Sequence, residues 1–104
     1  EASAHCIRAD GVDVLVDLMG HTRGNRMAIL ARRPAPLQVA YLGYPGSTGA
    51  DFIDYLIGDA LVTPLQLAGL YSEKLAQMPL TFQPNGRWRP SPRPMSRAAA
   101  GLSQ

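Results

Sequence analysis

The chain has 104 residues, which suits one small domain or a part of a larger one. No apolar run approaches the roughly 18 residues of a membrane-spanning helix, and the first ten residues lack the basic and apolar segments of a signal peptide. The net charge of +2 arises from residues 83–104, which carry four arginines and no acid, so the basic pI is poor evidence for a nucleic-acid-binding body.

The first predicted element is the end of a helix over residues 2–9, which Gly11 stops because glycine readily adopts the left-handed conformation. This helix contains Cys6, the only cysteine in the chain. We expect Cys6 to be a small buried side chain rather than a nucleophile. With a single cysteine no internal disulfide can form, which favours a cytoplasmic protein.

Residues 13–19 are β-branched and almost continuously apolar, a pattern typical of a parallel strand that is covered on both faces. Asp13 and Asp17 lie four residues apart, so both side chains face the same side of this strand. Such an acid could be a functional carboxylate at a strand end, or it could accept hydrogen bonds from the neighbouring backbone. We favour the structural alternative, because no basic partner for either acid is identifiable.

The loop of residues 20–24 follows this strand and places polar side chains where ligands bind in open α/β sheets. His21 could face a ligand there, or it could be a solvated turn residue. Arg23 and Arg26 could hold an anionic group of a substrate, or they could cap a surface loop. Thr22 could donate a hydrogen bond in the same crevice.

A helix over residues 26–32 is predicted next, with Asn25 as its N-cap and apolar residues at helical spacing. Pro34 and Pro36 terminate this helix. Because a proline disfavours helical geometry in the residue before it, we expect Arg33 to be extended.

The second predicted strand, residues 38–42, runs into the sequence Tyr-Leu-Gly-Tyr-Pro-Gly-Ser-Thr-Gly at residues 41–49. Closely spaced glycines and a proline indicate a tight turn, or a close approach of the backbone to a ligand. This loop is therefore the first candidate for a site, and a purely structural turn is the alternative. We expect a side chain at Gly43 to collide with that ligand rather than with the core.

A short strand over residues 55–59, a helix over residues 64–71 and a strand over residues 74–78 complete the predicted sheet, with Thr63 as the helix cap. Strands that alternate with helices at this spacing predict an α/β fold with a parallel sheet. From residue 83 onwards, prolines are spread through a segment with few aliphatic side chains, which predicts an extended linker.

Two classes of site find no support in the sequence. His5 and His21 are the only histidines and Cys6 is distant from one of them, so no spacing predicts a metal site. Aromatic residues such as Tyr41, Tyr44 and Trp88 are too scattered for a base-stacking platform, so no nucleic-acid partner is predicted.

Five groups of residues together resemble a known family. They read Gly-His-Thr-Arg-Gly-Asn-Arg at 20–26, Ala-Arg-Arg-Pro-Ala-Pro-Leu-Gln-Val at 31–39, Leu-Gly-Tyr-Pro-Gly-Ser-Thr-Gly at 42–49, Asp-Tyr-Leu-Ile at 54–57 and Tyr-Ser-Glu-Lys-Leu at 71–75. In this order and spacing they resemble the catalytic region of the protein O-GlcNAc transferases, glycosyltransferase family 41. The resemblance runs from about residue 10 to the end of the chain, and the tail is similar to that of bacterial members.

The resemblance implies a fold and an activity. The family has a two-lobed GT-B architecture with Rossmann-like lobes, usually preceded by tetratricopeptide repeats. Residues 1–82 would be the C-terminal part of the N-terminal lobe, and residues 83–104 would be a Pro/Arg-rich linker towards a second lobe. The implied reaction transfers GlcNAc from UDP-GlcNAc to Ser/Thr hydroxyls of proteins, with inversion and without a metal or other cofactor. A non-catalytic α/β binding or scaffold module is the alternative.

The resemblance also implies site residues. Leu42, Gly43 and Pro45 match loop residues that lie against the sugar. Thr22 and Arg23 match positions near the acceptor peptide, where the family often has lysine at the second position. No catalytic residue is assigned, because the matching catalytic motif is expected upstream of this chain and the UDP-binding residues in the second lobe. Leu80 replaces a histidine that many members have at this position, so we expect no polar role there.

Overall fold

The computed structural model describes residues 1–86 and 95–102. The elements, in chain order, are helix α1 (Ala2–Ala9), strand β1 (Val14–Asp17), helix α2 (Met27–Leu30), strand β2 (Leu37–Ala40), strand β3 (Tyr55–Asp59), a 3₁₀ helix (Leu65–Leu70) and strand β4 (Lys74–Met78). The strands form one parallel sheet in the order β1-β2-β3-β4, which confirms the predicted fold class. Within the described residues, no helix has the length and apolar character to cross a membrane.

The register of the sheet is staggered at its carboxyl edge. Strands β1 and β2 end side by side, with Asp17 paired to Ala40. Strand β3 pairs with β2 only through its first two residues, and Ala40 lies opposite Leu56. Strand β3 then continues to Asp59 beside β4, beyond the end of β2.

The core lies on one face of the sheet. Its fully buried members are Leu30 of α2, Ala40 of β2, Leu56 of β3 and Ile53 from the segment between β2 and β3. That segment crosses the sheet without a helix and reaches β3 through a turn at residues 51–52. The crossover therefore carries both a candidate site and part of the core.

Strand β1 is covered on one face only. Val14 and Val16 are 49% and 43% exposed, although Leu15 between them packs against the core. The prediction that this strand is covered on both faces is therefore wrong for the described part of the chain. Strand β1 has one strand neighbour in the described sheet, and the face that carries Val14 and Val16 is left exposed.

Helix α1 has the predicted bounds, and Gly11 follows it with a φ of 66°. The prediction that Cys6 is buried is wrong, since its side chain is exposed. Ala4 and Ile7, three residues apart on a helix, form the more buried face of α1, and Cys6 lies outside that face.

Helix α2 is shorter than predicted and spans four residues. Arg26 occupies the N-cap position without a capping bond, while the Asn25 side chain accepts a hydrogen bond from the Met27 N–H at 3.3 Å. The prediction that Arg33 is extended is also wrong, because its φ is 43°. The Arg33 N–H donates to the Leu30 carbonyl at 2.8 Å and so closes the helix.

Distant partners hold Arg33 in this unusual conformation. Its guanidinium donates to both carboxylate oxygens of Asp54 at 3.0 and 3.1 Å, and to the Phe52 carbonyl at 3.1 Å. The Oδ2 atom of Asp54 also accepts a hydrogen bond from the Gln38 N–H at 2.8 Å. Burial raises the pKa of Asp54, but the hydrogen bonds from Gln38 and Arg33 outweigh burial and lower it. These contacts fasten α2, β2 and β3 at the amino edge of the sheet.

Strands β3 and β4 have the predicted bounds, whereas the element between them is a 3₁₀ helix instead of an α-helix. None of the residues in this helix is buried, so tertiary packing does not stabilise a longer α-helix there. The hydroxyl of Thr63 does not cap the helix as predicted. It donates to the Asp59 carbonyl at 3.1 Å and closes the turn after β3.

The contact between Gly58 and Thr63 gives a test of this turn. A methyl group at Gly58 would overlap the Thr63 hydroxyl and lie 2.7 Å from its Cγ2. We predict that Gly58→Ala lowers the free energy of unfolding by about 1–3 kcal/mol, as overpacking does elsewhere. Chemical denaturation measures this change.

Gly69→Ala is the matched control, because a methyl group at Gly69 meets no atom within 4 Å. We expect Gly69→Ala to leave the stability unchanged or to raise it by up to about 1 kcal/mol. Equal losses in the two variants would contradict the packing argument.

Candidate functional site

Two loops meet at the carboxyl edge of the sheet. The first loop comprises residues 18–26 after β1, and the glycine loop comprises residues 41–49 after β2. A methyl group at Gly43 would overlap the backbone carbonyl of Leu18, and one at Gly20 would overlap the Tyr44 side chain. The expectation that a Gly43 side chain would collide with a ligand rather than with the protein is therefore wrong. Glycine at residue 43 is required by the contact between the loops.

His21 joins the two loops a second time. Its Nε2 lies 2.6 Å from the Thr48 carbonyl oxygen, and its ring meets the Tyr44 ring edge-on with 5.4 Å between centroids. Because a carbonyl oxygen only accepts, Nε2 is the donor in this bond. His21 is an exposed turn residue, as one alternative from the sequence stated, and it also connects the two loops.

The glycine loop begins with a strained turn at Leu42. The φ of Leu42 is 63°, and the Gly43 N–H donates to the Tyr41 carbonyl at 2.8 Å, which closes a three-residue turn. A bulky residue rarely adopts a positive φ, and such strain is concentrated at functional sites. The turn leaves the Leu42 side chain 41% exposed at the edge of the sheet.

A cavity of about 130 Å³ lies beside this turn. Leu42, Tyr44 and Pro45 line it, together with Val62 and Phe82. The walls of this cavity are mainly apolar. Two of the three expected sugar-contacting residues, Leu42 and Pro45, therefore line the cavity, and Gly43 lies between them in the chain.

The two expected acceptor-contacting residues lie in the first loop and do not line this cavity. The Thr22 hydroxyl donates to the Met19 carbonyl at 2.8 Å, so its hydrogen is used within the loop. Arg23 is exposed, and within residues 1–86 and 95–102 its guanidinium makes no hydrogen bond or ion pair. A positive charge is thus presented next to the glycine loop.

Two aspartates anchor the loops that follow the strands. Asp17 accepts hydrogen bonds from the N–H groups of Met19 and Gly20, the latter at 2.6 Å. This arrangement is the structural alternative that the sequence favoured for Asp17. It orients the first loop without leaving the carboxylate open to a ligand.

Asp59 has the same role after β3, and the sequence analysis did not identify it. Its carboxylate accepts from the N–H groups of Leu61 and Val62 at 2.9 Å and of Phe82 at 3.0 Å. The N–H groups of Val62 and Phe82 hold the pKa of Asp59 below its ordinary value. Because Tyr41 donates to the Phe82 carbonyl at 2.6 Å, this anchor extends to the cavity wall.

Glu73 is the third buried acid at these loops. It lies immediately before β4 and accepts hydrogen bonds from the Thr48 N–H at 2.7 Å, the Thr48 hydroxyl and the Ser47 hydroxyl at 2.8 Å. Burial raises the pKa of Glu73, but these hydrogen bonds outweigh burial and lower it. The sequence contained Glu73 within a family motif, and no local pattern indicated its contact with a loop 25 residues away.

Within the described ranges, no group of three His, Cys, Asp or Glu side chains is arranged to hold a metal ion. Trp88 and residues 87–94 of the predicted linker lie outside the described residues.

Comparisons with known proteins cover both loops. The model of glycosyltransferase family 41 matches residues 1–89. The chain is 51% identical over 80 residues to the UDP-N-acetylglucosamine–peptide N-acetylglucosaminyltransferase of Caenorhabditis elegans. It is also 51% identical over 79 residues to the probable UDP-N-acetylglucosamine–peptide N-acetylglucosaminyltransferase SEC of Arabidopsis thaliana.

These alignments cover 77% and 76% of this chain but only 7% and 8% of the two relatives. Among solved structures, a mutant of the Thermobaculum terrenum O-GlcNAc transferase is similar at a TM-score of 0.75 and 38% identity. That match covers 78% of this chain and 16% of the solved chain. The chain thus spans less than a tenth of these two curated relatives.

The contact between Gly43 and Leu18 predicts a strong effect on folding. We expect Gly43→Ala to lower the free energy of unfolding by about 1–3 kcal/mol or more, because a backbone carbonyl cannot rotate away as a side chain can. Thermal or chemical denaturation measures the change.

Gly46→Ala is the control in the same loop, since its methyl group would have 3.4 Å to the nearest atom, an ordinary contact. We expect its effect to be within about 0.5 kcal/mol. A Gly43→Ala variant as stable as Gly46→Ala would show that the loops separate at no cost.

Three hydrogen-bonded acids predict a loss of stability in acid. Asp54, Asp59 and Glu73 have lowered pKa values in the folded chain, so the folded state binds fewer protons than the unfolded state in acid. Their stabilisation is complete above the ordinary pKa values of 3.8 for Asp and 4.5 for Glu, and it is lost as the pH falls through the lower folded values.

The melting temperature as a function of pH tests this prediction. We expect it to fall steeply below about pH 4.5. Asp59→Asn should flatten this fall, since it removes one of the titrating groups. Asp51→Asn is the control, because Asp51 is exposed and its carboxylate makes no hydrogen bond within the described residues. A parent protein whose melting temperature is constant through this range would contradict the prediction.

Proposed function

The chain belongs to glycosyltransferase family 41, and we propose on this premise that it is part of an enzyme that transfers GlcNAc from UDP-GlcNAc to Ser/Thr hydroxyls of proteins. The observation that carries the proposal is the family match over residues 1–89, which includes both loops at the carboxyl edge. Open α/β sheets bind ligands at this edge. The names of two relatives at 51% identity supply the donor and the peptide acceptor.

In this proposal residues 1–82 are the C-terminal part of the N-terminal lobe of a GT-B enzyme, and residues 83–104 are the linker to a second lobe. Tetratricopeptide repeats and that second lobe belong to the same full-length chain. We place the enzyme in the cytoplasm, in keeping with the single cysteine of these residues. UDP-GlcNAc and the acceptor protein are its partners, and neither a nucleic acid nor a membrane is proposed.

The glycine loop contacts the donor sugar. Leu42 and Pro45 face the cavity and supply apolar contacts, while Gly43 allows the loop to lie against the first loop. Thr22 and Arg23 lie near the acceptor peptide, and the exposed guanidinium of Arg23 is suited to carbonyl or carboxylate groups of that peptide.

The reaction displaces UDP from the sugar. The acceptor oxygen attacks the anomeric carbon, a new C–O bond forms on the face opposite the leaving group, and the bond to the diphosphate oxygen breaks. The configuration at the anomeric carbon is thereby inverted, and UDP departs with the bonding electrons. Residues of this chain orient the sugar and the acceptor, which is a large source of rate in reactions between two bound partners. The hydroxyl proton passes to a base outside these residues, and no metal is proposed.

A sugar-transfer assay tests the proposal. The full-length protein is incubated with radiolabelled UDP-GlcNAc and a Ser/Thr-containing peptide, and we expect label to appear on the peptide. A peptide with alanine in place of each Ser and Thr should remain unlabelled. Residues 1–104 alone should give no turnover, because the proposed catalytic and UDP-binding residues lie outside them.

Two outcomes would contradict the proposal. Turnover by residues 1–104 alone would mean that the reacting groups lie within this chain. Failure of the full-length protein to bind UDP-GlcNAc in calorimetry would favour the alternative, a non-catalytic α/β binding or scaffold module.

A further inference from the structure

Glu73 is a buried carboxylate whose hydrogen-bond donors come mainly from the glycine loop. Glu73 is only 4% exposed to solvent. Burying an acid is costly unless hydrogen bonds compensate it, and Glu73 accepts from Thr48 twice and from Ser47 once. The Ser47 hydroxyl also accepts a hydrogen bond from the Ser72 N–H at 3.1 Å. The glycine loop is therefore bonded to both Ser72 and Glu73.

Thr48 is held from two directions. Its N–H and hydroxyl donate to Glu73, immediately before β4. Its carbonyl oxygen accepts a hydrogen bond from the His21 ring at 2.6 Å. Thr48 is therefore a fixed joint between β4 and the first loop, which carries the proposed acceptor residues. Displacement of Thr48 would move the end of the glycine loop relative to the first loop.

The opposite end of the glycine loop is also fixed. The Tyr41 N–H donates to the Asp17 carbonyl at 2.9 Å, directly before the strained turn at Leu42. A positive φ in a leucine persists only where the surrounding structure enforces it. With one end fixed by β1, the hydrogen bonds at Thr48 supply the second restraint on the segment that contains Leu42, Gly43 and Pro45.

We infer that Glu73 is a positioning residue for sugar transfer, which fixes the donor-binding geometry of the glycine loop through Thr48. This inference rests on the proposed function. Glu73 has no contact with the sugar in this account, since its carboxylate is occupied by the loop. Its effect on the reaction passes through the position of Leu42 and Pro45.

Glu73→Gln in the full-length enzyme tests the inference. The variant keeps the side-chain volume, but it removes the charge and replaces one acceptor oxygen by an N–H donor. That donor must face either the two Thr48 donors or the Ser47 hydroxyl. We expect the KM for UDP-GlcNAc to rise and kcat/KM for this donor to fall by about 10- to 100-fold, as for a reacting group misplaced by about 1 Å. The KM for the acceptor peptide should stay within about twofold of the parental value, because no contact with the acceptor is removed.

The matched control for charge is Asp51→Asn, which removes a carboxylate that is exposed and without a hydrogen bond in the described ranges. We expect both KM values of Asp51→Asn to equal those of the parent. At Thr48, Thr48→Ser keeps the hydroxyl and should retain the donor KM, whereas Thr48→Val keeps the shape, loses the hydroxyl and should raise it.

Hydrogen exchange supplies a measurement that does not depend on catalysis. In the parent the Thr48 amide is bonded to a buried acceptor, so its exchange should be slow. Glu73→Gln should accelerate exchange at least tenfold in residues 47–50, with β1 and α1 unchanged. Slower exchange in residues 47–50 of Thr48→Ser than in those of Thr48→Val would support the same contact.

The outcomes separate the inference from the proposed function. A parent enzyme without sugar transfer contradicts the proposed function, while exchange at Thr48 still reports the contact. Glu73→Gln with parental donor KM and parental exchange would overturn the inference. Faster exchange with an unchanged donor KM would also overturn it, since Glu73 would then have only a structural role. If Glu73→Gln does not fold, the comparison of Thr48→Val with Thr48→Ser decides the same question.

Discussion

The contact between Gly43 and the Leu18 carbonyl is the constraint on which the carboxyl edge of this sheet depends. It brings two loops from neighbouring strands into backbone contact, where no side chain fits. The His21–Thr48 hydrogen bond and the close approach of Gly20 to Tyr44 join the same two loops. Packing of the backbone therefore holds the loop that carries Thr22 and Arg23 against the loop that carries Leu42 and Pro45.

Three buried acids also hold the loops at this edge in place. Asp17, Asp59 and Glu73 each accept at least two hydrogen bonds from a loop at or beside the sheet edge. Each acid thus exchanges water for N–H or O–H donors, which fixes irregular backbone more specifically than apolar packing can. The strands are only four or five residues long, so such anchors matter more here than in a larger sheet.

The sequence predicted those features that local chemistry determines. The predicted bounds of β3 and β4 are correct, and the logic of strand ends identified both loops. The family resemblance, and not the spacing, supplied their proposed roles. Helix lengths were overestimated where few residues are buried, as in α2 and the 3₁₀ helix. Arg33 and Glu73 were missed because their partners lie 21 and 25 residues away, and no local pattern reports such contacts.

The stagger between β2 and β3 has a consequence for how this edge can evolve. Because β3 continues past Ala40 to Asp59, the sheet has a step in its own backbone, and the cavity lies in that step. Substitutions among the lining side chains can narrow or widen its mouth, but the depth is set by the offset register of β2 and β3. The width of the cavity can thus change by point mutation, whereas a change in its depth requires an insertion or deletion that shifts the register of the strands.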